Sequence, residues 1–260
     1  MLLWLSLACA SLLQHGLAAP VPSPAASPVL YYKSVSPNTV SRQEETDSKF
    51  LLRTMPLGAS ITFGQGSSDG NGYRKDLRDK LIAAGFDVDM VGNNPGGTMQ
   101  DNQCEGYPGF TIDQVHAKAK ISVPQYKPNL VLVNAGLNDC FQNVDTGNAG
   151  TRMRSMLNDV YNDSPNALIV LSTLLTNADA NVRTCVASIN QQYTDLASSL
   201  RLQGKRIILA DMQPPAGPAI ADLGEGTHPN DQGYQKMANV WYPRIQLANL
   251  QGLLVKADSI

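Results

Sequence analysis

The stretch Met55-Pro56-Leu57-Gly58-Ala59-Ser60-Ile61-Thr62-Phe63-Gly64 decides how the chain is read. An apolar run that passes into Gly-Ala-Ser and then into a glycine-rich loop suits a strand that presents a hydroxyl at the C-terminal edge of a sheet. Leu57 to Phe63 is read as that first strand, and Ser60 as the candidate nucleophile. A serine hydroxyl attacks only when a base removes its proton and a third group holds the base in place. The Glu225-Gly226-Thr227-His228-Pro229 run far downstream offers both in one turn: the His228 imidazole as base and Glu225 as the orienting carboxylate.

Working outward, Tyr73, Leu77 and Leu81 recur every fourth residue through a charged segment that stops at Gly85, which predicts an amphipathic helix. Phe86 to Val91 alternates apolar with acidic residues, as a sheet-edge strand with one wet face should. The continuous apolar runs Leu130-Val131-Leu132-Val133, Leu168-Ile169-Val170-Leu171 and Ile207-Ile208-Leu209-Ala210 fit central parallel strands covered on both faces. Between them lie two apolar stripes at helical spacing, Met153 to Tyr161 and Val182 to Leu200. The last helix is expected to start near Pro229-Asn230-Asp231, with Pro243 marking a kink or an end. Strands alternating with helices predict a parallel α/β sheet, whose reactive groups gather in loops at the C-terminal strand ends.

With 260 residues, 43% hydrophobic and 16% charged, the chain has apolar material for one sizeable core and little need of two domains. A net charge of -2 without a basic block argues against nucleic acid or an anionic membrane surface as partner. Residues 1–19 are apolar and end in small residues, interrupted by Gln14, His15 and Gly16 well short of the roughly 20 apolar residues of a span, so they read as a secretory signal peptide. Residues 20–50, rich in Pro, Ser, Val and Thr, read as a flexible leader or propeptide. The catalytic domain is placed at 51–250 and a C-terminal tail at 251–260. Asn162-Asp163-Ser164 is an N-glycosylation sequon weakened by Pro165. No His, Cys or carboxylate group has metal-ligand spacing, and Gly64-Gln65-Gly66 lacks the rest of a phosphate-binding motif, so neither metal nor cofactor is expected.

Four blocks in order, around Ser60, Glu105-Gly106-Tyr107-Pro108-Gly109-Phe110, Asn134-Ala135-Gly136-Leu137-Asn138-Asp139 and Glu225 to Pro229, closely resemble the SGNH (GDSL-type) hydrolases. In detail they are similar to the fungal secreted members of carbohydrate esterase family three, which act on acetylated polysaccharides such as xylan. The resemblance covers about Leu51 to Leu250 and implies a three-layer α/β/α sandwich with a five-stranded parallel sheet in the flavodoxin-like order 2-1-3-4-5. It also implies that Ser60 is the nucleophile, that its own N–H, the Gly109 N–H and the Asn138 amide form the oxyanion hole, and that His228 is the base. Gly106 is the fallback donor. The chain departs from the family pattern at Ala59, where Asp is usual, at Leu137, where Thr is usual, and at Glu225, where Asp is common.

If the strands take that order, the loop carrying Cys140 neighbours the helix start carrying Cys185, while Cys104 follows the edge strand. A Cys140–Cys185 disulfide with Cys104 free is therefore expected, in keeping with an oxidising secretory route. His116 lies on a polar helical stretch with no carboxylate in the matching position, so it is set aside. Glu225 as a solvated loop residue, leaving a Ser-His dyad, stays open, and Asp222 is a further carboxylate nearby. The resulting expectation is a secreted, monomeric serine esterase acting on acylated polysaccharide or small esters. A lipase or arylesterase on the same fold, and a catalytically silent carbohydrate-binding relative, are the rivals.

Overall fold

The structure, a computed structural model, describes residues 50–260. The expected signal peptide and all but Phe50 of the expected leader lie outside the described residues. The strands are β1 (Leu51–Gly58), β2 (Asp87–Met90), β3 (Glu105–Gly106), β4 (Leu130–Asn134), β5 (Leu168–Ser172) and β6 (Ile207–Ala210). They form one six-stranded sheet in the order β2-β1-β4-β5-β6, with the two-residue β3 pairing β1 beyond the end of β2. Every pairing is parallel. Counting only the five longer strands, this is the expected 2-1-3-4-5 order; β3 is the addition. Its Glu and Gly carry no strand pattern, and only the pairings of Leu57 with Glu105 and of Gly58 with Gly106 make it a strand.

All five residues of β4 and of β5 are buried, as continuous apolar runs covered on both faces must be. The helices are α1 (Ser60–Phe63), α2 (Tyr73–Ala83), α3 (Ile112–Tyr126), α4 (Leu137–Gln142), α5 (Ala149–Asp163), α6 (Ala180–Leu202) and α7 (Asp231–Leu250). One layer joins α2 to α7, where the Tyr73 and Trp241 rings lie 5.7 Å apart; α3, α5 and α6 pack together as another.

Pro56 sits inside a central strand, where a missing N–H ordinarily breaks a ladder. The register removes the conflict. Thr54 and Gly58, two residues to either side, direct their carbonyls to Val91 and Tyr107, so position 56 faces the gap where β2 has ended and β3 has not begun. No ladder bond is lost there.

The first strand differs from its expected extent. It ends at Gly58, and Ser60 opens the helical turn α1 instead of lying within a strand. Phe63 N–H donates to the Ala59 carbonyl and Gly64 N–H to the Ser60 carbonyl, both at 3.0 Å. Gly64 closes the turn at φ 100°, a left-handed conformation that side chains disfavour. Gly58 is needed for space, since a Cβ there would stand 2.1 Å from the Asn134 carbonyl oxygen. Ile61 and Thr62 read as strand formers, but this tertiary fit overrides their local preference.

Pro243 likewise neither ends nor splits the last helix, which runs through to Leu250. Pro243 and Asn239, whose carbonyl loses its helical donor, are both exposed, so water can serve that carbonyl. Buried Trp241 and Ile245 hold the helix on either side. Residues after it are tied back: Asn129 Nδ2 donates to the Val255 carbonyl at 2.9 Å, Asn166 Nδ2 to Asp258 at 2.7 Å, and the Arg53 guanidinium to the Asp258 carbonyl.

Candidate active site

The turn after β1, the loop after β4 and the segment before α7 meet at one end of the sheet, around a cleft of about 360 Å³. Ser60 Oγ lies 2.8 Å from His228 Nε2, although the two residues are 168 apart in sequence. One carboxylate oxygen of Glu225 accepts both the His228 backbone N–H at 3.0 Å and the ring Nδ1–H. That contact assigns the proton to Nδ1 and leaves Nε2 free to accept from the serine hydroxyl. The Ser60 residue is 8% exposed, the His228 side chain 15% and the Glu225 side chain 57%. Partial burial disfavours the Glu225 anion, but the hydrogen bonds from His228 outweigh it and hold the carboxyl below its usual pKa.

Backbone and side-chain bonds from three directions set the histidine loop. Ala178 N–H donates to the Gly226 carbonyl at 2.9 Å, and the buried Asn177 amide to the Thr227 hydroxyl at 3.1 Å. Tyr234, on the first turn of α7, donates to the Gln65 carbonyl at 2.6 Å and so joins the loop after Ser60 to the helix after His228. Asp222 does not reach the imidazole. Its carboxylate accepts from Lys236 at 2.6 Å and from the Ala219 N–H at 2.7 Å, and the lysine holds its pKa below the carboxylate norm.

Gly109 and Asn138 line the same cleft, whereas Gly106 is buried within β3. One Asn138 amide hydrogen goes to the Phe110 carbonyl at 2.9 Å, which leaves the second available to a bound group. Gln142 donates to the Gly109 carbonyl at 2.9 Å. Behind them Asp139, fully buried, accepts from the Ile112 N–H at 3.0 Å and meets Arg152 Nη2 at 2.7 Å. Burial pushes the Asp139 pKa up, against the pull of the Ile112 N–H and of Arg152. Arg152 continues to Asp113 at 3.1 Å and the Val144 carbonyl at 2.9 Å, fixing the loop after β4 to the start of α3. No local pattern announces such a network, since its partners are 8 to 39 residues apart.

Cys140 and Cys185 form a disulfide that ties α4 to α6, and Cys104 is free and buried. Asn162 is exposed on the last turn of α5, but Ser164 of its sequon is buried and donates to the Pro128 carbonyl at 2.7 Å. His116 does have a carboxylate: Asp159 of α5 lies 2.8 Å from Nε2. The partner comes from another helix, where sequence spacing gives no sign of it. Among the described residues no group of three His, Cys, Asp or Glu is placed to hold a metal ion.

A parallel α/β/α sandwich with a serine, a histidine and a carboxylate in line at its C-terminal edge is the architecture of the SGNH-type hydrolases. Residues 57–236 match the GDSL-like Lipase/Acylhydrolase family, and the chain belongs to it. It is 29% identical over 224 residues to a multidomain esterase of Ruminococcus flavefaciens, covering 75% of this chain and 28% of that much longer protein. Among solved structures it resembles a Clostridium thermocellum family 3 carbohydrate esterase, with TM-score 0.68 and 22% identity over 77% of this chain and 98% of the other. A family 3 carbohydrate esterase from Talaromyces cellulolyticus aligns with TM-score 0.66 and 22% identity over 76% and 98% of the two chains. At that identity the likeness shows the fold.

Proposed function

We propose that the chain is a secreted serine esterase that removes small acyl groups, acetyl above all, from acylated polysaccharide such as acetylated xylan. The observation that carries this reading is the 2.8 Å contact between Ser60 Oγ and His228 Nε2, with Glu225 on the opposite ring nitrogen. His228 takes the Ser60 proton as Oγ bonds to the ester carbonyl carbon, and the carbonyl electrons move onto oxygen. The Ser60 and Gly109 N–H groups and the spare Asn138 hydrogen receive that oxyanion. Each such donor is worth about 2.7–4 kcal/mol of barrier in comparable sites. Glu225 meanwhile stabilises the imidazolium. As the carbonyl re-forms, the bond to the sugar oxygen breaks and His228 passes its proton to the departing hydroxyl. Water, deprotonated by the same nitrogen, then attacks the acyl-serine, releasing the carboxylic acid and restoring Ser60.

Esterase activity is favoured by the family to which the chain belongs. The carbohydrate substrate class is favoured by the multidomain esterase and family 3 carbohydrate esterase likenesses, together with a cleft edged by Gln65, Asn138 and Thr227. Secretion is favoured by the apolar N-terminal stretch and by the Cys140–Cys185 disulfide, which an oxidising compartment maintains. The test is release of acetate from acetylated xylan and of nitrophenol from a short aryl acetate. Both activities are expected in the wild type and neither in Ser60→Ala; a wild type inert on every short ester refutes the reading.

A further inference from the structure

Among the described residues, Phe141 is the one aromatic side chain in the set of exposed large apolar residues, at 49% exposure. By contrast Tyr73, Tyr193, Tyr234 and Trp241 are at most 1% exposed, and Phe63, Phe86, Tyr107, Phe110, Tyr126 and Tyr242 are partly buried. Holding half a phenyl ring in water forfeits the burial that aromatic side chains ordinarily gain. Phe141 borders the cleft that holds Ser60 and His228.

Its backbone is also held on both sides. Cys140, the preceding residue, is bonded to Cys185 of α6; Asp139 is paired with Arg152; Gln142, the following residue, donates to the Gly109 carbonyl at 2.9 Å. Phe141 stands three residues after Asn138 on α4, so ring and amide share a face of the helix. A rigid ring beside an amide pre-organises contact with a partner that has both an apolar face and hydroxyls.

We infer that Phe141 is the substrate platform of the cleft, on which one face of a pyranose ring of the acylated polysaccharide lies while its acyl group reaches Ser60. The inference rests on the esterase reading above. A sugar ring offers axial C–H groups to the aromatic face, while its hydroxyls meet the polar side chains Gln65, Asn138 and Thr227 around the opening. A long acyl chain would need apolar walls on several sides, and the other large apolar side chains bordering the cleft, Ile61 and Leu137, are only 4% and 9% exposed.

The test compares the full chain, Phe141→Ala and Phe141→Trp on acetylated xylo-oligosaccharide and on ethyl acetate, an ester without a ring. In Phe141→Ala the ratio of kcat/KM for the oligosaccharide to that for ethyl acetate falls about tenfold, through KM, the scale of one lost ring contact. Phe141→Trp restores the ratio. An unchanged ratio overturns the inference and leaves the esterase reading intact, and so does an equal loss on both esters. A wild type that cleaves ethyl acetate but no acetylated oligosaccharide overturns the carbohydrate reading and this inference together.

Discussion

In the proposed mechanism Glu225→Ala removes the negative charge that faces the imidazolium formed during catalysis, and its surroundings set how much that charge is worth. Two unit charges about 4 Å apart interact by about 1 kcal/mol in water and about 4 kcal/mol at an effective dielectric of about 20. The Glu225 side chain is 57% exposed, so its contribution falls between those limits. At about 1.36 kcal/mol per tenfold, kcat for p-nitrophenyl acetate is expected to fall by between about fivefold and about a thousandfold. That is short of the roughly ten-thousandfold loss seen where the triad acid is buried. Salt provides a second signature. Raising NaCl from about 0.1 M to about 1 M shortens the screening length from about 10 Å to about 3 Å, so the wild type slows toward the variant, which itself barely responds. Initial rates at both salt concentrations for wild type, Glu225→Ala and Ser60→Ala decide the matter. An unchanged rate in Glu225→Ala removes that carboxylate from the site. A variant as silent as Ser60→Ala refutes the argument from exposure.

The disulfide closes a separation of 45 residues, so replacing both Cys140 and Cys185 with serine is expected to cost at most about 4 kcal/mol by chain entropy, read from urea midpoints; no shift in the midpoint refutes this. Arg152→Ala strands the fully buried Asp139 carboxylate, and a loss of about 3–5 kcal/mol is expected in the same assay. A loss below about 1 kcal/mol would mean that water reaches Asp139. The Asp222 pKa is lowered by Lys236, so its ionised form favours the folded state above the ordinary carboxylate range and that benefit disappears as pH falls through the folded-state pKa. Asp222→Asn should therefore lower stability at neutral pH and converge with wild type in strong acid; a pH-independent difference counts against the Lys236 pair as its origin.

The sheet was legible because its chemistry is repetitive. Leu130 to Val133 and Leu168 to Leu171 have no polar residue to offer water, and burial on both faces is what such runs require. The helix Tyr73–Ala83 announced itself by four-residue spacing and a glycine beyond its end. The turn at Ser60 was not legible, because Ile61 and Thr62 favour a strand locally and only the packing of Gly58 against β4 bends the chain away. The helix end that Pro243 allowed does not occur for the opposite reason: its local rule is strong, but the exposed side of α7 lets water complete what the ring removes.

The site was half written in single residues and half in pairs. Ser60, Glu225 and His228 could be singled out because each carries a reactive group within two residues of a glycine and in a block that resembles a known family, and the structure brings the three together. Asp139 with Arg152, Asn177 with Thr227, and Tyr234 with the Gln65 carbonyl could not, since each is a hydrogen-bonding group whose partner is fixed only once the chain has folded. The cysteine pairing followed from strand order, which makes it a consequence of topology instead of spacing.

Covalent trapping tests the central claim most directly. The full chain is treated with a serine-reactive organophosphate, digested and mapped by mass spectrometry, alongside His228→Ala. The account expects one phosphoryl group per chain, on Ser60, with esterase activity lost in step with labelling in the wild type and labelling suppressed when His228 is absent. Label on a different residue, or full esterase activity in a chain whose Ser60 is blocked, would contradict it.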